Sequence, residues 1–207
     1  SSLKDSIRKY QTVGYGNNHL TVSAIKLYMD GALGSRGAWL LSPYSDSPDE
    51  SGLNVTRLSE IRKIARLAAE NDFQVCTHAI GDKANRVTLN IYEEIFNKFN
   101  RNDLRWRIEH AQIINPNDFE KFAKNSVIPS VQATHCTSDM NWAGERLGEE
   151  RLKGAYVYQT LLQQNGWLPN GTDFPVENIN PLFTFYASVF RTDHTGWPEG
   201  GWHKSEG

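Results

Sequence analysis

The chain has 207 residues, 39% hydrophobic and 11% aromatic, enough to bury the core of one domain. A formal net charge of −2 gives no electrostatic footing on nucleic acid or an anionic membrane, and no apolar run nears the roughly 20 residues that cross a bilayer. The opening S-S-L-K-D-S-I-R-K-Y lacks the apolar stretch of a signal peptide; the two cysteines, Cys76 and Cys136, fit neither a zinc ribbon nor a disulfide framework, and this absence of disulfide use favours the cytoplasm.

In chain order, residues 20–29, L-T-V-S-A-I-K-L-Y-M, are rich in β-branched and apolar side chains and stop at the breaker pair Asp30-Gly31, which predicts a strand. The Gly-, Ser-, Pro- and Asp-rich stretch from 31 to 56 is long for a connection and suits a lid or wall. Residues 57–71 place Leu58, Ile61, Ile64, Leu67 and Ala68 on one stripe at helical spacing, and a strand follows at 73–78. Asp82 caps a predicted helix over 83–99, with Ala84, Val87, Ile91 and Ile95 along its buried stripe. A strand over 104–110, a helix opening at Pro116 and Asp118 and ending near Asn125, and a strand over 127–134, weakened by Pro129, complete the regular part. Residues 135–150 read as a second long polar connection, 149–164 as a helix, 167–173 as a weak strand and 181–190 as a helix before an irregular end.

Strands alternating with helices predict an α/β fold with a parallel sheet and outer helices. Four ionisable residues, Lys26, His78, His110 and Asp173, stand near the ends of the strand-like runs. Side chains two apart share a face, which groups Lys26 with Ala24 and Tyr28 against an apolar row of Ile25, Leu27 and Met29. The same rule puts His78 with Cys76, His110 with Ile108 and Trp106, and Ser130 with Gln132 and Thr134. A parallel barrel gathers strand ends on one rim, where two imidazoles and a carboxylate suit a divalent transition metal.

The runs K-L-Y-M-D-G-A-L-G-S-R, T-H-A-I-G-D-K-A-N, R-I-E-H-A-Q, S-V-Q-A-T-H-C-T-S-D-M and G-T-D-F-P-V resemble amidohydrolase family 3. This is the branch of the metal-dependent amidohydrolase superfamily that includes N-substituted formamide deformylase. The resemblance implies a (β/α)8 barrel (TIM barrel) that hydrolyses amide or other non-peptide C–N bonds of a small molecule with metal-activated water. It implies His78 and His110 as metal ligands on the fifth and sixth family strands, and Asp173 on the eighth as ligand and catalytic proton carrier. It also implies Lys26 on the fourth, carboxylated so that it bridges two metals; one or two zinc ions are expected. An unmodified Lys26 ammonium would repel the metals and pair with Asp173. The superfamily's His-x-His pair occurs nowhere in the sequence, and five strands are predicted where closure takes eight. The chain is therefore read as about strands four to eight of a longer hydrolase, without its first strand and final C-terminal segment. Alone it is expected to be inactive, with an unmodified Lys26 and little metal. Its open sheet edges are expected to associate, as a homo-oligomer or with the missing barrel half.

Candidate substrate contacts each have a plainer alternative. Arg36 and Arg146 would hold an acidic group or be solvated loop charges. Trp39 and Trp142 would wall an aromatic pocket or cover the barrel mouth. Gln132 offers hydrogen bonds, and His135 is either a substrate contact or a structural residue. Two other classes stand beside the hydrolase: a lyase or isomerase on the same barrel, and a non-catalytic binding or scaffold domain. A sugar-phosphate substrate is disfavoured, since Gly171 runs straight into Asp173 where a Gly-rich phosphate loop would be needed. A scaffold would have no use for two histidines and an aspartate at strand ends.

Overall fold

The computed structural model describes residues 3–207. Helix α1 (Leu3–Tyr10) leads into a small antiparallel hairpin of β1 (Thr12–Gly14) and β2 (Leu20–Val22), joined by the one-turn segment α2 (Tyr15–Asn18). The main sheet begins after Ser23 with β3 (Ala24–Tyr28). The strand expected over 20–29 is thus two strands in two sheets: Leu20 and Val22 pair within the hairpin and are substantially exposed, so their apolar character does not mark a core position.

From β3 onward strand and helix alternate. The elements are α3 (Leu58–Glu70), β4 (Gln74–Ala79), α4 (Asp82–Phe99), β5 (Arg107–His110), a 3-10 turn at Pro116–Asp118, α5 (Phe119–Lys124) and β6 (Ile128–Ser130). The strands β3, β4, β5 and β6 lie in that order, all parallel, with Lys26, Cys76, Arg107 and Ile128 in register across the sheet. Parallel pairing of sequential strands requires a crossover, which α3, α4 and the α5 segment supply. Helices α3 and α4 bury Ile61, Ala65, Ala68, Leu89, Ile91 and Ile95, so the hydrophobic stripes read at 3.6-residue spacing are the packed faces. Trp106 fills the layer between α4 and the sheet, with the Tyr92 and Phe96 rings at 4.8 and 5.0 Å and its indole N–H donated to the Phe73 carbonyl at 3.0 Å. The architecture is that of a partial (β/α) barrel.

The second half departs from expectation. Strand β6 stops at Ser130, so Gln132 and Thr134 do not share a strand face with it. Residues 133–139 and 143–152 form helices α6 (Ala133–Asp139) and α7 (Ala143–Leu152) instead of a polar loop. Ser, Thr and Asp in T-H-C-T-S-D compete for backbone hydrogen bonds and hide helical character; burial of Ala133, Cys136, Ala143 and Leu147 overrides that. The helix expected over 149–164 is divided, with α8 (Tyr158–Asn165) separate from α7. Between them the backbone at Gly154 presses on the segment after β5: a Cβ at Gly154 would lie 1.9 Å from the Ile114 carbonyl oxygen. The strand expected over 167–173 is reduced to one parallel bridge, Val131 with Asn170. Pro169 brings no N–H to a ladder, which limits pairing there. Helix α9 (Pro181–Phe190) starts where expected, its Leu182 N–H capped by the Asn180 side chain at 3.0 Å. Among the described residues, no helix is long and apolar enough to cross a membrane.

Candidate active site

The site is built from the C-terminal ends of the parallel strands. On β3, Leu27 is buried toward the helices while Lys26 and Tyr28 face the other way. On β4, the Thr77 hydroxyl meets the Tyr92 hydroxyl of α4 at 2.7 Å, which fixes the helix side and turns Cys76 and His78 inward. Alternation on β5 would send His110 to the helix side with Trp106 and Ile108, and this expectation fails for a specific reason. His110 has φ 76° and Ala111 φ 42°, so the chain turns at the strand end and the His110 ring swings inward to 4.5 Å from the His78 ring. Left-handed backbone at a residue other than glycine costs about 1–3 kcal/mol and concentrates at functional sites. Asp173 adopts the same conformation, with φ 54°.

Asp173 meets His135 of α6, Oδ2 to Nε2 at 3.2 Å, and the other ring nitrogen of His135 lies 3.0 Å from Glu177 Oε1. Candidate ligand atoms of His110, His135 and Asp173 all lie within 4.8 Å of one another. Together with His78 and Lys26 these residues border a cavity of about 440 Å³. Lys26 does not form the ion pair with Asp173 considered for its unmodified state; its Nζ lies 4.9 Å over the Tyr28 ring.

Two buried atoms here have no hydrogen-bond partner, His78 Nε2 and His110 Nδ1. Asp30 Oδ1 is 3.6 Å from His78 Nε2, beyond hydrogen-bond reach. Burial, with Lys26 adding to it, pushes the pKa of His78 down to about 4. Burial followed by the neighbouring His78 and His135 pushes His110 down to about 3. Both are therefore neutral imidazoles with an unclaimed ring nitrogen, a costly arrangement for a core and the state in which a divalent transition ion is ligated. The donor set fits such an ion. His135 differs: burial opposes its charge, but Glu177, Asp139 and Asp173 outweigh burial and raise its pKa.

The remaining candidates are distributed unevenly. His135 and Trp142 are on the cavity wall. Gln132 is buried off that wall, its amide N–H donated to the Ser130 carbonyl at 3.3 Å. Arg36 is also off the wall: its guanidinium meets Asp46, at 3.1 and 2.9 Å, and Arg146 joins the same carboxylate. Trp39 sits under Lys83, 4.6 Å from ring centroid to Nζ. Asp82 is the first residue of α4 and not its cap, which is Gly81; its carboxylate accepts from the Leu41 and Lys83 N–H groups at 2.8 and 2.9 Å, tying the long connection to the start of the helix.

Sequence reasoning missed three acids. Asp30 is fully buried and accepts the N–H groups of Trp39, Ile80 and Gly81 at 2.8, 3.0 and 2.8 Å, tying the long connection after β3 to the end of β4 just beyond His78. Burial raises its pKa to about 7 against the pull of those donors. Asp139, held by the Tyr156 hydroxyl at 2.7 Å and the Gln112 amide at 3.0 Å, has its pKa raised by burial. Glu177 is the third. The breaker pair Asp30-Gly31 was visible as punctuation; nothing in the sequence joined Asp139 or Glu177 to the rim.

With parallel strand ends presenting His78 and His110, and Asp173 following the Asn170 bridge, the fold and site define a barrel-type protein in which His110, His135 and Asp173 lie close enough together to share a metal ion. The Amidohydrolase family model matches residues 1–203, and the chain belongs to that family. It is 37% identical over 173 residues to Protein LONG AFTER FAR-RED 3 of Arabidopsis thaliana, covering 83% of this chain and 30% of that protein. It is 34% identical over 173 residues to the putative amidohydrolase YtcJ of Bacillus subtilis (strain 168), covering 84% of this chain and 32% of that one. Among solved structures, an uncharacterized metal-dependent hydrolase from Pyrococcus horikoshii OT3 superposes with TM-score 0.79 at 35% identity, over 91% of this chain and 37% of that chain. One from Pyrococcus furiosus superposes with TM-score 0.79 at 32% identity, over 99% and 41%. The chain spans about a third of the length of the curated relatives it matches.

Proposed function

We propose that the whole protein is a metal-dependent hydrolase acting on an amide or other non-peptide C–N bond of a small molecule. The observation that carries this reading is the pair of buried histidines, His78 and His110, whose ring nitrogens lack partners beside Asp173 on one cavity wall. His78, His110 and Asp173 would hold the ion, and zinc suits imidazole and carboxylate donors. When bound, such an ion polarises a scissile carbonyl and makes water acidic enough to supply hydroxide near neutral pH.

The chain's own residues do the rest. Burial keeps His78 and His110 neutral, so protons do not compete for their nitrogens. Asp173 accepts a proton from the attacking water and returns it to the leaving nitrogen. His135, hydrogen-bonded between Asp173 and Glu177, holds that carboxylate in one orientation. Lys26, on the same wall, serves as a ligand only as a carbamate, because its ammonium would repel the ion. These residues contain no His-x-His pair, so full ligation would draw on parts of the whole protein beyond them, and the 207-residue chain alone is proposed to be inactive.

The test is the whole protein, stripped by chelation and reloaded with zinc, manganese or nickel, then assayed for amine release from a panel of small amides that includes N-substituted formamides. Turnover that vanishes on stripping and returns on reloading is expected. A protein that takes up no divalent ion at the stoichiometry of its sites would contradict the proposal.

A further inference from the structure

The cavity that holds the histidines has an apolar part, made by Leu33, Ile80, Val176 and the indole of Trp142. Trp142 is seated with unusual care. A Cβ on Gly34 would lie 3.2 Å from its Cη2 and 3.4 Å from its Cζ2, so the six-membered ring rests against bare backbone. Gly34 has no positive φ, so its lack of a side chain supplies room for the indole rather than conformational freedom. The Arg146 guanidinium stands 5.8 Å from the Trp142 ring centroid and approaches the Gly34 carbonyl at 3.4 Å. Arg146 also pairs with Asp46, which takes Arg36 at 2.9 Å. The connection after β3 and helix α7 are thus clamped around one aromatic ring, with both arginines nearby sharing the Asp46 carboxylate.

We infer that Trp142, seated on Gly34 and fixed by the Asp46 clamp, determines specificity at this site by selecting substrates that carry a flat apolar or aryl group next to the scissile bond. A rigid ring bordering a cavity gives an aryl group stacking and burial at little entropic cost. The inference rests on the metal-hydrolase reading, and the experiment is arranged so that the two fail differently.

The probes are benzohydroxamate and acetohydroxamate, which share a metal-chelating head and differ only as phenyl against methyl. Their affinities for the zinc-loaded whole protein are measured by isothermal titration calorimetry. The wild type is expected to prefer benzohydroxamate by about tenfold or more. Trp142→Ala should bring the ratio of the two affinities close to one, and Trp142→Phe should keep most of it. Gly34→Ala, whose new methyl makes the indole give by a few tenths of an ångström, should lower the ratio measurably. Wild-type protein without a phenyl preference, or a preference that survives Trp142→Ala, overturns the inference while leaving the metal site standing. If Trp142→Ala does not fold, Trp142→Leu takes its place, and a phenyl preference that survives Trp142→Leu overturns the inference. Binding of neither hydroxamate to the zinc-treated protein removes the metal reading and the inference with it.

Discussion

Replacing Asp30 by alanine removes one acceptor from three buried backbone donors, the N–H groups of Trp39, Ile80 and Gly81. An unsatisfied buried donor costs about 1–3 kcal/mol; with water entering the vacated space to bond some of them, the loss sums to roughly 3–5 kcal/mol. The carboxyl also carries an opposing cost. Its folded pKa is raised from 3.8 to about 7, so the folded state binds more protons between those values and wild-type stability falls as pH rises through that window, by up to about 4 kcal/mol. The alanine variant lacks that loss. Its penalty is therefore larger at pH 5 than at pH 8. The assay is hydrogen–deuterium exchange of the metal-free whole protein at both pH values, read on peptides covering 38–41 and 79–82. Exchange about 100- to 1000-fold faster is expected at the acidic value, after correction for intrinsic rates. Acceleration below about fivefold, or a penalty that grows with pH, would refute the reasoning that Asp30 is the anchor joining these two segments.

The depressed pKa values of His78 and His110 work in the opposite sense: the unfolded chain binds protons that the folded one refuses, so their stability contribution is complete above about 6.5 and is lost as pH falls toward 4 and 3. The double variant His78→Gln, His110→Asn should flatten this acid limb in urea titrations of the metal-free protein, and an unaltered limb would speak against neutral buried imidazoles. Gly154→Ala places a methyl against the Ile114 carbonyl, at 1.9 Å before relaxation, and should destabilise by at least about 1–3 kcal/mol; an unchanged urea midpoint would show that the α7–α8 break is not pressed onto the segment after β5.

Much of the fold was legible because strands β3 to β5 and helices α3 and α4 carry their periodicity in apolar side chains that are in fact buried. What escaped has physical causes. Helix α6 is written in Ser, Thr, His and Asp, residues with weak helical preference, and is held in place by burial against the rest of the molecule. The position after β6 was expected to be a strand, but the segment around Pro169 forms a single bridge. At the site, the clustering of Lys26, His78 and His110 followed from strand ends sharing a rim, and Asp173 joins them from a segment that makes a single bridge to the sheet. The direction of His110 did not, because period-two alternation assumes an extended backbone and His110 leaves it at φ 76°. Asp30 was read as punctuation because its three partners are backbone groups 9, 50 and 51 positions away, which no side-chain pattern reveals.

The central claim is that His110 faces inward as a metal ligand, and the measurement that tests it most directly is zinc affinity of the whole protein with His110 and with His110→Asn. Asparagine tolerates the left-handed backbone of that position, so the substitution removes the imidazole while sparing the turn that places it. The account predicts zinc bound at the stoichiometry of the sites in the wild type and an affinity at least about 10- to 100-fold weaker in the variant. Equal zinc affinity in the two proteins would contradict it.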